Sequence, residues 1–210
     1  MNKPIFFDLD GTLTDPQKGI TRCIQFAMQR LQCAVPQQQQ LTWCIGPPLR
    51  QSFVELVGEA LADQAVDLYR QRFATTGLYE NKVYAGIPQL LQQLRTRGHR
   101  LYVASSKPRV FVERILEHFE LASYFSGIYG SELDGHLQDK SELLRHALLQ
   151  EQIAGSDSVM VGDRYHDARG AADNDMAFVG ALYGFGSTEE FRRLGFMRWA
   201  QQPKDLLTML

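Results

Sequence analysis

Ile5-Phe6-Phe7 runs directly into Asp8-Leu9-Asp10-Gly11-Thr12. Three consecutive apolar residues read as a short buried strand, and the Gly-Thr that follows reads as a sharp exit turn. Carboxylates at the carboxyl end of a buried strand stand where open α/β sheets place their ligands. Gly11 breaks the extension, so Asp8 and Asp10 are free to converge on one point beyond the strand. Two acids this close repel each other unless a cation or a shared proton intervenes. Alone, the pair marks a turn or a helix cap as readily as a metal site.

Residues 15–80 contain no strand candidate. Pro16 suits a first helical turn, and Ile20, Cys23, Ile24, Ala27, Met28 and Leu31 recur at helical spacing on one face. Gln37 to Gln40 read as a surface loop leading into the next helix, and Gly46-Pro47-Pro48 is a hard break. Leu49, Phe53, Leu56 and Val57 suit a second helix. Val66, Tyr69, Arg70 and Phe73 suit a third.

From residue 81 the pattern changes. Helices are expected around Ile87–Leu94, Phe111–Phe119, Lys140–Gln150, Ala168–Asn174 and Pro203–Leu210. They alternate with strands at Leu101–Ala104, Gly127–Gly130, Val159–Val161 and Met176–Leu182. Such alternation implies a parallel sheet with helices on both faces. The expected fold is α/β, a Rossmann-like parallel-sheet core domain (1–14 and 81–210) with a small all-helical cap domain (15–80) inserted after the first strand.

Composition narrows the partners. With 210 residues, 44% of them hydrophobic, the chain buries one sizeable core. A net charge of −2 without a broad basic stripe argues against a nucleic-acid polymer or a membrane surface. No apolar run approaches a membrane span. The N-terminal stretch reaches Asp8 too soon for a signal peptide, and three cysteines without metal-ligand spacing read as reduced thiols. A cytoplasmic location is expected.

A parallel sheet gathers its carboxyl-end loops along one edge. Ser105 ends the second strand, Lys140 precedes a helix, and Gly162-Asp163 with Asp167 follows another strand. Hard oxygen ligands with open positions suit Mg²⁺. A hydroxyl, an ammonium and backbone N–H groups suit phosphate oxygens. A carboxylate touching both is a candidate nucleophile, and a second one nearby serves as general acid and then base. Taken singly, Ser105 and Asp167 are ordinary helix caps. Lys140 would be a solvated lysine, though a cation at a helix start opposes the dipole.

Together these segments resemble the haloacid dehalogenase superfamily, in its branch with a helical cap after strand one. Phe7-Asp8-Leu9-Asp10-Gly11-Thr12-Leu13 matches its first motif, Ser105 the second, Lys140 the third, and Gly162-Asp163 with Asp167 the fourth. Ile45-Gly46-Pro47-Pro48-Leu49 and Tyr183-Gly184-Phe185-Gly186-Ser187 are similar to phosphoglycolate phosphatases and 5′-nucleotidase-like phosphatases. Glu80 to Pro108 and Gly162 to Asp167 lean toward the latter.

The resemblance implies a Mg²⁺-dependent phosphomonoesterase acting on a small phosphorylated metabolite through an aspartyl phosphate. A nucleoside monophosphate is the first expectation, phosphoglycolate or a sugar phosphate the alternative. It implies Asp8 as nucleophile and Asp10 as acid and base. Mg²⁺ would be held by Asp8, the Asp10 backbone carbonyl and Asp163, with Asp167 orienting metal-bound water. Ser105, the Ser106 amide and Lys140 would hold the phosphoryl group. The acid at position 10 argues against a dehalogenase, which has no leaving alkoxide to protonate. Lys18 is the one lysine between Thr14 and Glu80, which disfavours a phosphonatase. A phosphomutase stays open. A phosphorylation-dependent signalling module would not need the insertion. Lys107 and Arg50 fit either a substrate contact or solvent. Arg164 and His166 read as loop surface, and Trp43 and Phe53 as core residues rather than a platform for stacking a base.

Overall fold

The computed structural model describes residues 2–210. Two compact units emerge: residues up to Thr14 together with Val83–Leu210, and Asp15–Lys82. In the first unit, six strands form one parallel sheet. In chain order they are β1 (Ile5–Phe7), β4 (Leu101–Pro108), β5 (Gly127–Ser131), β6 (Val159–Gly162), β7 (Ala177–Ala181) and β8 (Trp199–Ala200). Two further two-residue strands, β2 (Thr14–Asp15) and β3 (Lys82–Val83), pair with each other where the chain passes between the units.

The spatial order is β5-β4-β1-β6-β7-β8. β1 therefore lies inside the sheet, with Phe7 opposite Val103 on one side and Val161 on the other. The chain leaves β1 toward β4 and β5, then returns to place β6 on the other flank. The strand order reverses at β1, the position where ligands bind in open α/β sheets. All three β1 residues are fully buried, as expected of a strand covered on both faces.

Helices of this unit are α4 (Ile87–Thr96), α5 (Arg109–His118), α6 (Lys140–Glu151), α7 (Tyr165–Asp173), α8 (Thr188–Arg192) and α9 (Leu206–Met209). Side chains alternate across the strands. Phe6, Tyr102, Ala104, Met160 and Phe178 share a core with Leu143 and Leu144 of α6, Ala168 and Ala171 of α7, and Phe191 of α8. Phe6 stacks on Tyr102 at 4.8 Å between ring centroids. The opposite set includes Phe7, which meets Phe125 edge to face.

The second unit holds α1 (Gln17–Arg30), α2 (Leu49–Val57) and α3 (Glu59–Phe73). Its core includes Ile24, Leu41, Phe53, Val66, Tyr69 and Phe73, with Tyr69 stacked on Phe73 and edge-on to Phe53.

Several expectations are corrected. The glutamine run is not a plain loop: a 3-10 helix covers Gln38–Cys44, entered through reciprocal hydrogen bonding of Gln37 and Gln40. Trp43 is 38% exposed and is not a core residue. β4 does not stop at Ala104 but runs to Pro108 through a register shift. α7 begins at Tyr165, three residues before the expected Ala168, because Asp167 accepts from the Arg164 amide and caps it. The short α8 and β8 lacked a periodic signal. Pro203–Asp205 is a 3-10 turn ahead of α9, where one continuous helix was expected. No helix among the described residues is long and apolar enough to cross a membrane.

Candidate active site

Beyond β1 the backbone closes a tight turn. The Leu9 carbonyl accepts from the amides of Thr12, Leu13 and Thr14, and the Gly11 amide donates to Thr14. Gly11 sits at φ +88°, in the left-handed region, and a Cβ there would fall 2.1 Å from Asp163 Oδ2. Only glycine permits both the turn and the approach of Asp163.

The two opening acids part company here. Asp8 is 7% exposed and its Oδ1 accepts from Lys140 Nζ at 2.7 Å. Asp10 is 8% exposed and its Oδ2 lies 2.5 Å from Lys107 Nζ, while its Oδ1 is buried with no hydrogen-bond partner. Each carboxylate thus has its own lysine. Burial nevertheless dominates and pushes both carboxyls above the usual range, against the pull of Lys140 on Asp8 and of Lys107 on Asp10.

Lys140, the first residue of α6, is 5% exposed, which rules out a solvated helix-start lysine. Its N-cap Asp139 accepts from the Ser141 and Glu142 amides, fixing the helix start. Nζ reaches Asp8 Oδ1, the Ala104 carbonyl at 2.8 Å and Asp167 Oδ1 at 2.8 Å, so all three of its hydrogens are committed. Burial works to lower the ammonium pKa, but Asp167 and Asp8 outweigh it and hold it above the ordinary lysine value.

Asp163 follows β6 and has no exposed surface. Its Oδ2 accepts from the Phe185 amide at 2.8 Å, and its Oδ1 has no partner. Burial, together with the Asp167 and Asp8 charges, drives its pKa well above the usual carboxylate value. Asp167, in the first turn of α7, is 2% exposed. Carboxylate oxygens of Asp8, Asp163 and Asp167 all lie within 4.8 Å of one another. Three clustered hard donors, one with an orphaned oxygen, fit a small divalent cation such as Mg²⁺.

Ser105 is buried at the same sheet edge, and its Oγ accepts from the Lys107 amide at 3.4 Å. The Ser106 carbonyl accepts from Ser131 Oγ. The structure therefore brings Asp8, Asp163, Asp167 and Lys140 into one cluster, whereas the carboxylate of Asp10 is engaged by Lys107 beside it. His166 is half-buried, and burial with the Arg164 charge lowers its pKa. Arg164 reaches Glu190 at 3.4 Å. Neither is plain loop surface.

Two elements of this edge carried no settled role in the sequence. One is Lys107, now fixed against Asp10. The other is the Tyr183–Ser187 loop, whose Phe185 amide holds Asp163 and whose Tyr183 hydroxyl donates to the Thr12 carbonyl. The Gly184-Phe185-Gly186 spacing is its signal: Gly184 lies against the Gly11 carbonyl and Gly186 against that of Asp163.

In the helical unit, Arg50 is held by Glu59 at 2.6 Å and Asp63 at 2.7 Å. Lys18 is exposed and borders an open groove of about 480 Å³ with Gln38, Tyr79, Asn81 and Lys82.

A family model described as haloacid dehalogenase-like hydrolase matches residues 5–181. A Pseudomonas aeruginosa protein named 5′-nucleotidase is 54% identical over 190 residues, 90% of this chain and 86% of that one. A Mycobacterium tuberculosis protein named tyrosine-protein kinase PtkA is 38% identical over 186 residues, 88% of this chain and 64% of that one. Relatives named phosphoglycolate phosphatase are more distant, one at 27%. Among solved structures, a predicted phosphatase from Clostridium acetobutylicum superposes with a TM-score of 0.95 at 41% identity, over 100% of this chain and 98% of that one.

Proposed function

The chain belongs to the haloacid dehalogenase-like hydrolase family and is one of its phosphatases; from that premise we propose that its substrate is a nucleoside 5′-monophosphate. The 54% identity to a protein named 5′-nucleotidase, extending over most of both chains, carries this reading.

Asp8 is the nucleophile. One of its oxygens bonds to phosphorus as the bond from phosphorus to the leaving oxygen breaks, giving an aspartyl phosphate. Asp10 supplies the proton that the departing alkoxide needs. Water then attacks the phosphorus of the aspartyl phosphate. Asp10 takes its proton, Asp8 leaves as a carboxylate, and inorganic phosphate is released. Lys140 fixes Asp8 through Oδ1, and burial keeps Asp10 able to carry a proton at higher pH than an exposed acid. Ser105, with the Ser106 amide, holds the phosphoryl group from the point where β4 shifts register. Lys140 holds that group too, once it gives up one of its present acceptors.

Mg²⁺ is the cofactor of this reading: Asp8 and Asp163, which cluster with Asp167, would hold it together with the Asp10 backbone carbonyl. When bound it supplies the positive charge that offsets repulsion between a carboxylate and a phosphate dianion. In this reading the helical insertion, residues 15–80, is the cap domain and sets the choice of substrate.

The test is a screen of phosphomonoesters with Mg²⁺, scored as kcat/KM from free phosphate release. Nucleoside 5′-monophosphates are expected to lead phosphoglycolate and sugar phosphates by at least about tenfold, roughly 1.4 kcal/mol of discrimination. A lead for phosphoglycolate would overturn the substrate. Label passing from ATP to protein tyrosine without phosphate release would favour the chemistry named for the mycobacterial relative.

A further inference from the structure

Lys107 belongs to none of the four motifs, yet the fold is shaped to place it. β4 and β5 pair residue for residue from Tyr102 with Gly127 to Ser105 with Gly130, and the next pair is Pro108 with Ser131. Ser106 and Lys107 are therefore extra residues on β4, a bulge of the kind that re-aims side chains at a sheet edge. Two features lock it. Ser131 Oγ donates to the Ser106 carbonyl, and Gly130 gives room for the Lys107 carbonyl, which a Cβ would meet at 2.8 Å. The result carries the lysine to Asp10: the two side chains are 9% and 11% exposed and 2.5 Å apart.

The contact is one-sided. Nζ takes Asp10 Oδ2, while Oδ1 stays buried without a hydrogen-bond partner. A carboxylate with neither oxygen held is free to rotate about its Cβ–Cγ bond. Pinned by one oxygen, it keeps the other in a single direction, which is what a proton-transfer group needs.

We propose that Lys107 is a positioning residue that grips Asp10 by Oδ2, so that Oδ1 is the oxygen that gives the proton to the leaving alkoxide and takes one from the attacking water. This rests on the reading of Asp10 as acid and base. Lys107 forms no bond to substrate. Its effect appears only in steps where Asp10 moves a proton.

Lys107→Met, Lys107→Arg, Asp10→Asn and the double variant Asp10→Asn with Lys107→Met are assayed with Mg²⁺. The substrates are p-nitrophenyl phosphate and the best alkyl phosphate from the screen above. Lys107→Met is expected to lower kcat on the alkyl phosphate by about 10- to 100-fold, and on the aryl phosphate by several-fold less, because a good leaving group needs little protonation. KM stays within about twofold. In the Asp10→Asn background, measured on the aryl phosphate, Lys107→Met costs nothing further, as expected of two residues acting as a unit. Lys107→Arg keeps the charge but displaces the grip, and gives a smaller loss with the same selectivity. It also carries the test if the Met variant does not fold.

Equal kcat losses on both substrates, a change confined to KM, or full additivity with Asp10→Asn would each overturn the role. If Asp10→Asn itself shows no leaving-group selectivity, the acid–base reading fails. If Asp10→Asn is selective and Lys107→Met is not, only the positioning role fails.

Discussion

Both units hold clusters of carboxylates and cations, and the clusters differ in one respect. In the helical unit, Glu80 accepts from Arg22 at 2.7 Å and from Arg72 at 2.8 Å. Burial works to raise its pKa, but the two guanidiniums prevail and hold it below the ordinary value. The hydrogen bond from Arg50 does the same for Asp63. In the α/β unit, Asp8, Asp10 and Asp163 are all pushed upward, although two of them have a lysine. Asp10 and Asp163 each keep an orphaned oxygen. The first kind of cluster is complete and structural. The second is short of positive charge and hydrogen-bond donors, a chemistry that suits a divalent cation and a phosphate group.

The largest effect should come from breaking the deficient cluster at its centre. Asp8→Asn is nearly isosteric and removes the proposed nucleophile. Turnover should fall by at least about 10³-fold while the fold persists, as read from phosphate release and a thermal melt. Activity near wild type would dissolve the distinction between the clusters.

Metal removal sharpens the same contrast. Asp8, Asp10 and Asp163 have folded pKa values above their unfolded ones, so their contribution to stability is full below the unfolded values and is lost as pH rises through the folded ones. His166 has the opposite sign, and its contribution is lost as pH falls below its ordinary value of 6.5. Mg²⁺ would isolate Asp8 and Asp163, because a cation at the cluster binds their carboxylates ionised. The rise in Tm on adding Mg²⁺ to EDTA-treated protein is expected to be larger near about pH 8 than near about pH 5. The same rise at both would contradict the charge deficit.

A smaller change is expected in the complete cluster. Glu80→Gln leaves two arginines short of a carboxylate and should cost about 1–2 kcal/mol in a denaturant melt, with kcat within about twofold. Glu80 is held low, so its contribution is present above the unfolded pKa and is lost as pH falls through the folded one. The gap between wild type and Glu80→Gln should therefore close on acidification below about pH 4.

The smallest effect is at Arg50. Its partners Glu59 and Asp63 are exposed, and surface pairs of this kind contribute little. Arg50→Ala should leave Tm and kcat unchanged. A raised KM on the best substrate would show instead that it reaches the phosphate or base.

Much of this was legible along the chain. Ile5-Phe6-Phe7 before Asp8, Val159–Val161 before Asp163, and the later alternation of strands and helices predict a parallel sheet with acids at one edge, and that sheet is present. The helix starting at Lys140 was equally plain. Boundaries were less so where a distant residue sets them. β4 runs on to Pro108 because Gly130 and Ser131, more than twenty residues later, accommodate its bulge. α7 starts early because Asp167 turns back on the Arg164 amide.

The sequence by itself determined the chemistry available: two acids after a buried strand, a serine, a lysine and two more acids, each at a strand end or helix start. Only the tertiary structure decided how they are shared. Asp8 and Asp10 looked like a single repelling pair in want of one cation. Folding gives each its own lysine, Lys140 from the start of α6 and Lys107 from the bulge in β4. It groups Asp8 with Asp163 and Asp167 and leaves Asp10 beside that cluster. The reason is geometric. Which charge meets which depends on strand order, register and one bulge, and these are properties of contacts between segments far apart in the chain.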